Sequence, residues 1–134
     1  MERDIIFENL NRAQDLFKLK EHLRELYRLV DNRLITITRA ASITLDTDEG
    51  EVFYIELDGN ITGITIKNPY QGRKITVIFK QDGSGSHTVA GWAATVMLAG
   101  DAFSVTSTAN RYTTITFIYD GTNWVEVGRT TDVY

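Results

Sequence analysis

KITVIFKQDGSG, residues 74–85, alternates side chains along a strand and then breaks into a turn. Ile75, Val77 and Phe79 fall on one face, with Thr76, Ile78 and Lys80 on the other, the two-residue period of an extended chain. Asp82-Gly83-Ser84-Gly85 then supplies residues that bond to their own backbone and accept unusual backbone angles. Two further stretches read the same way. Phe53, Ile55 and Leu57 oppose Tyr54 and Glu56, and Ile115, Phe117 and Tyr119 oppose Thr114, Thr116 and Ile118.

Working outward, the pattern predicts strands over 40–45, 51–57, 61–67, 74–80, 86–90, 94–98, 102–107, 112–119 and 123–128. Asp58-Gly59 reads as a tight hairpin, Asn68-Pro69 as a corner, and Asp120-Gly121-Thr122-Asn123 as another turn. No helical pattern interrupts the strands. The expectation is a mainly β fold, an antiparallel β-sandwich of jelly-roll-like type. Ile78 and Ile118 on outer faces predict partial cover by something else.

Composition shifts near residue 40. All ten glycines of the 134-residue chain lie beyond it, and Leu, Glu, Arg and Lys dominate before it. Leu16, Leu19, Leu23, Leu26 and Val30 follow a three-four spacing, the a/d seam of a coiled coil or, as the alternative, the apolar face of an ordinary amphipathic helix packed on its own β domain. Residues 1–39 therefore read as a helical oligomerisation and attachment stem, and residues 40–134 as a β-sandwich knob. Upstream, Ile5, Ile6, Phe7 and Leu10 form a separate apolar set suited to an anchoring contact of the stem.

The chain carries a formal charge of −4, and the β portion is the acidic part. That makes nucleic acid or an anionic membrane a poor partner. No apolar run is long enough to span a bilayer, and the N-terminus lacks the pattern of a secretion signal. Synthesis in a cytoplasm is expected. There is no cysteine, so disulfides and thiolate chemistry are excluded. No metal or other cofactor is expected.

No catalytic constellation emerges. Ser84, Ser86, His87 and Asp82 lie within one turn, where a strained nucleophile with an aimed base is not indicated. Asp46, Asp48, Glu49 and Glu51 have charge but not the spacing of a calcium loop, and read as a hydrated turn. Gly83-Ser84-Gly85-Ser86 lacks the lysine of a phosphate loop. Asn60-Ile61-Thr62 is formally a glycosylation sequon in a turn. Aromatic rings can stack on sugars, which makes Trp92 and Tyr112, with Asp82, Asn110 and Arg111, candidates for ligand contact. Trp92 reads first as a core residue.

Residues 72–89, GRKITVIFKQDGSGSHTV, resemble a segment of bacteriophage and prophage structural proteins, in which a strand ends in a Gln-Asp-Gly-x-Gly-Ser turn. Residues 112–124, YTTITFIYDGTNW, resemble their terminal hairpin, and Ala99-Gly100-Asp101 matches the loop between. The likeness covers roughly residues 40–130. It implies a non-catalytic surface protein of a virion, of the trimeric tail-fibre, tail-spike or head-fibre type. It also implies a homotrimer, other capsid or tail proteins as partners, and host-surface glycans as contacts. Head and tail both remain open. The competing classes are a carbohydrate-binding module of a cellular protein and a glycan depolymerase with a carboxylate groove.

Overall fold

The computed structural model describes residues 16–24 and 34–134. The chain divides into two compact units, Met1–Asn32 and Arg33–Tyr134. In the first, residues 16–24 form a helix, α1, exposed along its whole length. Leu16, Leu19 and Leu23 recur three and four residues apart, so they share one face of it. Leu26 and Val30 of the expected seam, and Ile5, Ile6, Phe7 and Leu10, lie outside the described residues.

The second unit begins earlier than composition suggested. Leu34–Ile37, assigned to the stem, is instead the first strand of the β body, β1. Its neighbours are leucine- and arginine-rich, and four residues are too few to shift a compositional boundary. The remaining strands are β2 (Ser42–Asp46), β3 (Val52–Leu57), β4 (Gly63–Lys67), β5 (Lys74–Gln81), β6 (Val96–Met97), β7 (Tyr112–Tyr119) and β8 (Trp124–Val133).

The expected antiparallel, jelly-roll-like arrangement is overturned. A mixed six-stranded sheet runs β1-β3-β5-β7-β8-β6, and a separate pair joins β2 to β4. Along the first half, successive strands alternate between the two sheets, so strands within a sheet come from successive passes of the chain. β1–β3, β3–β5 and β2–β4 are accordingly parallel. Only β5–β7 and β7–β8 are antiparallel, and the short β6 lies parallel to β8. Asp58-Gly59 is therefore no hairpin: it carries the chain from β3 in one sheet towards β4 in the other. Asp120 to Asn123 does close a true hairpin between β7 and β8. A two-residue side-chain period is common to parallel and antiparallel strands, which is why alternation located the strands but not their partners.

Two expected strands are absent as ladders. Residues 86–90 supply one parallel bridge, Val89 to Ile61, and Trp92 bridges Ile64 in the same sense. Residues 102–107 form no strand. The buried Gln81 side chain explains much of this, because it takes the place of a ladder. Its amide donates to the carbonyls of His87 and Thr106, each at 2.7 Å, and accepts from the His87 N–H at 3.2 Å.

Both sheets contribute to one core. Ile43 and Leu45 from β2, Phe53, Ile55 and Leu57 from β3, Ile64 from β4, Ile75, Val77 and Phe79 from β5, and Ile115 and Phe117 from β7 meet there. The faces predicted from alternation point inward as expected. At one corner Arg73 is buried and donates to the Tyr70 hydroxyl and the Thr47 carbonyl, tying the turn after β2 to the one after β4. Asn68, left-handed at φ 59°, precedes Pro69 in that second turn, and its carbonyl accepts from Thr47 Oγ1 at 2.6 Å.

Candidate functional site

The end of the large sheet where β3 and β5 finish gathers most of the candidate residues. Asn110 N–H donates to the Asp82 carbonyl at 3.1 Å, and Gln81 N–H donates to the Arg111 carbonyl at 2.9 Å. Tyr112 pairs with Lys80 across β5–β7, and the Lys80 ammonium sits 5.7 Å from the centre of its ring. Tertiary structure thus brings Asp82, Asn110, Arg111 and Tyr112 together. None of the ties that join those four reaches Trp92.

Each member of this group has structural work. One carboxylate oxygen of Asp82 accepts from the N–H groups of Ser84 at 3.0 Å and Gly85 at 3.1 Å, and lies 3.0 Å from His87 Nε2. Partial burial would raise its pKa, but those backbone donors and His87 outweigh that and hold the carboxyl below its ordinary value. The supposed Ser-His-Asp set is therefore a turn whose polar atoms bond to one another. Asn110 occupies a left-handed position at φ 61°, which asparagine tolerates well. The Arg111 guanidinium carbon lies over the Tyr134 ring, 3.4 Å from its centre, and Arg111 Nη1 is 3.9 Å from the Asp132 carboxylate.

Trp92 takes the role of a core aromatic. Its ring meets Phe79, Phe103 and Phe117 at centroid separations of 6.2, 5.6 and 5.3 Å, all edge-on. These are favourable aromatic geometries. Its indole N–H is buried without a partner among the described residues. Beside it runs an open groove of about 550 Å³ lined by Ala90, Ala94, Met97, Leu98, Asp101 and Phe103. Trp92 is itself part of the groove's lining.

The acidic turn after β2 is likewise satisfied internally. Asn68 Nδ2 donates to Asp46 at 2.7 Å and the Asp48 N–H to the same oxygen at 3.0 Å, lowering the Asp46 pKa in that order of importance. No group of three or more His, Cys, Asp or Glu side chains suited to a metal occurs among the described residues.

A recess on the outer face has no signature in the sequence. It measures about 210 Å³ and is lined by Thr36, Ile37, Thr38, Arg39, Tyr54, Glu56 and Asp58, with apolar atoms making the larger share of its exposed wall. Arg39 is held in place: its Nε pairs with Asp58, and its Nη1 donates to the Asn60 carbonyl at 3.2 Å. The guanidinium lies over Gly59, where an added Cβ would stand 2.8 Å from Arg39 Cζ. Tyr54 and Glu56 belong to the outer face that alternation had identified. Nothing in the sequence linked them to Arg39, because that link passes through the pairing of β1 with β3. Glu56 pairs with Lys80 and Lys80 with Tyr112, so the recess and Tyr112 share one row across the sheet. Burial raises the Tyr54 pKa, Lys80 opposes that, and Glu56 and Tyr112 add to it.

The family model described as "Putative phage tail fibre C-terminal domain" matches residues 33–124. The chain belongs to this family. Its matched segment begins at the same boundary as the β body, which starts at Arg33, and ends on Trp124, the buried residue that opens β8. A search of curated proteins returns no match. As a member of the phage tail-fibre family, the chain is a non-catalytic structural protein of a phage particle. The resemblance drawn from residues 72–89 and 112–124 thus led to the right family.

Proposed function

We propose that this phage tail-fibre protein is a homotrimeric module at the virion surface, joined through its helix and free to meet host-surface glycans with its β body. The observation that carries the reading is the helix face. Leu16, Leu19 and Leu23 are 58%, 52% and 42% exposed in the single chain, within a helical stretch of nine described residues. In proteins most helical stability comes from packing of an amphipathic face rather than from propensity, and burying three leucines between copies supplies that packing. With Leu26 and Val30 they continue the a/d seam. Ile5, Ile6, Phe7 and Leu10 serve as the anchor to other virion proteins. Membership of a tail-fibre family favours the tail over the head.

Host contact falls to the end of the β body bearing Asp82, Asn110, Arg111 and Tyr112, while Trp92 serves the core beside it. Weak single contacts, repeated about one axis, gain through avidity. Light scattering tests the assembly: a mass three times the 15.2 kDa of one chain is expected at micromolar concentration, and Leu19→Asp with Leu23→Asp should reduce it to one. A monomeric mass for the unmodified chain overturns the trimer, and a doubled mass replaces it with a dimer.

A further inference from the structure

We infer that the recess between β1 and β3 is a binding site for one ring of a neutral sugar, formed by Arg39, Tyr54, Glu56 and Asp58 with the hydroxyls of Thr36 and Thr38. This rests on the host-glycan reading above but assigns a different set of residues from the loop cluster.

The argument begins with preorganisation. Ligand sites need donors whose geometry is fixed before binding, since immobilising a long side chain on binding costs affinity. Arg39 meets this condition through Asp58, the Asn60 carbonyl and the absence of a side chain at Gly59. Those bonds use two of its five N–H groups, and the others can serve a ligand. Glu56 and Asp58 are exposed carboxylates, acceptors only when ionised, and Thr36 and Thr38 are exposed hydroxyls. Donor and acceptor groups side by side match the paired hydroxyls of a pyranose. Tyr54 is half-buried, with an aromatic body and a polar tip, suited to meet the apolar face of a sugar and one hydroxyl.

Size and charge narrow the ligand. At about 210 Å³ the recess is below the range of roughly 300–1,000 Å³ that holds drug-sized molecules, and one sugar ring is the appropriate scale. Glu56 and Asp58 are balanced by Arg39 and by Lys80, which pairs with Glu56 across β3–β5 and acts on Tyr54, so the recess has no net charge with which to attract uronic and other acidic sugars. A longer chain has a route onward along the row Glu56, Lys80, Tyr112.

The test titrates the isotopically labelled full chain with methyl glucoside, methyl galactoside and methyl N-acetylglucosaminide, using methyl glucuronide as the acidic control. Saturable amide shifts at Thr36, Thr38, Arg39, Tyr54 and Glu56 are expected with at least one neutral glycoside, and weaker ones with the glucuronide. Glu56→Gln and Tyr54→Phe, both mild enough to leave the fold intact, should each weaken binding about tenfold, the effect of one hydrogen bond. Absence of saturable shifts at these residues, preference for the glucuronide, or unchanged binding by both variants overturns the proposal. Host-cell attachment separates it from the broader reading. Attachment by the unmodified chain that Glu56→Gln leaves intact rejects the recess and keeps host contact. Failure of the unmodified chain to attach to any cell or glycan rejects host contact, and the glycoside titration then decides the recess alone.

Discussion

Replacing Gly91 with alanine probes the contact that holds the third pass of the chain against the second. Gly91 has φ +79°, and a Cβ built there would stand 1.8 Å from the Thr62 carbonyl oxygen and 2.9 Å from Gly63 Cα. Backbone cannot be moved aside like a flexible side chain, so the strand segments must separate. Four backbone bonds cross this junction: Ile61 N–H to Thr88, Ala90 N–H to Ile61, Ile64 N–H to Gly91, and Ala93 N–H to Ile64, at 2.9, 2.9, 2.8 and 2.9 Å. Losing one or two of them costs about 0.5–1.5 kcal/mol each, and the left-handed conformation adds about 1–2 kcal/mol for a residue with a Cβ. The expected loss is about 3–4 kcal/mol, a large part of the roughly 5–15 kcal/mol that stabilises a domain of this size. Gly72 supplies the control. Its φ is +86°, yet nothing lies within 4 Å of its added Cβ, so Gly72→Ala should show only the conformational part, about 1–2 kcal/mol. Urea titration followed by tryptophan fluorescence measures both, with the Gly91 variant's midpoint moving by about 1–4 M for a typical slope. Equal losses in the two variants would refute the close approach of these backbones.

Phe79→Ala should cost about 3–5 kcal/mol, because Phe79 is buried and contacts both Trp92 and Phe103; a loss below about 1 kcal/mol in urea would mean the wrong face had been assigned to β5. Gln81→Leu leaves the carbonyls of His87 and Thr106 and the His87 N–H without their partner, for about 2–4 kcal/mol, and hydrogen exchange should quicken in residues 82–90 and 103–108 before anywhere else. Acid stability follows from carboxylates held below their ordinary pKa: Asp46 by Asn68, Asp120 by the N–H groups of Asn123 and Thr122, and Glu126 by Arg129. Each binds a proton more readily unfolded than folded, so its contribution is complete above the unfolded pKa of about 4 and is lost as pH falls through the lower folded value. Urea midpoints should stay level from neutral pH to about 5 and drop below 4, with Asp120→Asn flattening part of that fall.

Periodicity and turn chemistry are local, and what they determine was legible. The inward faces of β3, β5 and β7, the β7–β8 turn and the mainly β character all follow from side chains two residues apart and from glycine, asparagine and aspartate at the breaks. The family, too, could be read from two short segments, because turn residues with special backbone angles tolerate few substitutes. Which strands pair is a different matter. Alternation is identical in parallel and antiparallel ladders, so the winding of β1 to β5 between two sheets depends on the one core they jointly bury. The same holds for Leu34–Ile37, whose four residues become a strand only because β3 offers them an edge. Site residues divide along this line. Asp82, Asn110, Arg111 and Tyr112 were each identifiable as polar or aromatic turn residues, and the β5–β7 pairing assembled them. Trp92 joined the core because Phe79, Phe103 and Phe117 surround it. The recess at Arg39 was invisible in the sequence, since Arg39 and Asp58 are nineteen positions apart and meet only when β1 lies against β3.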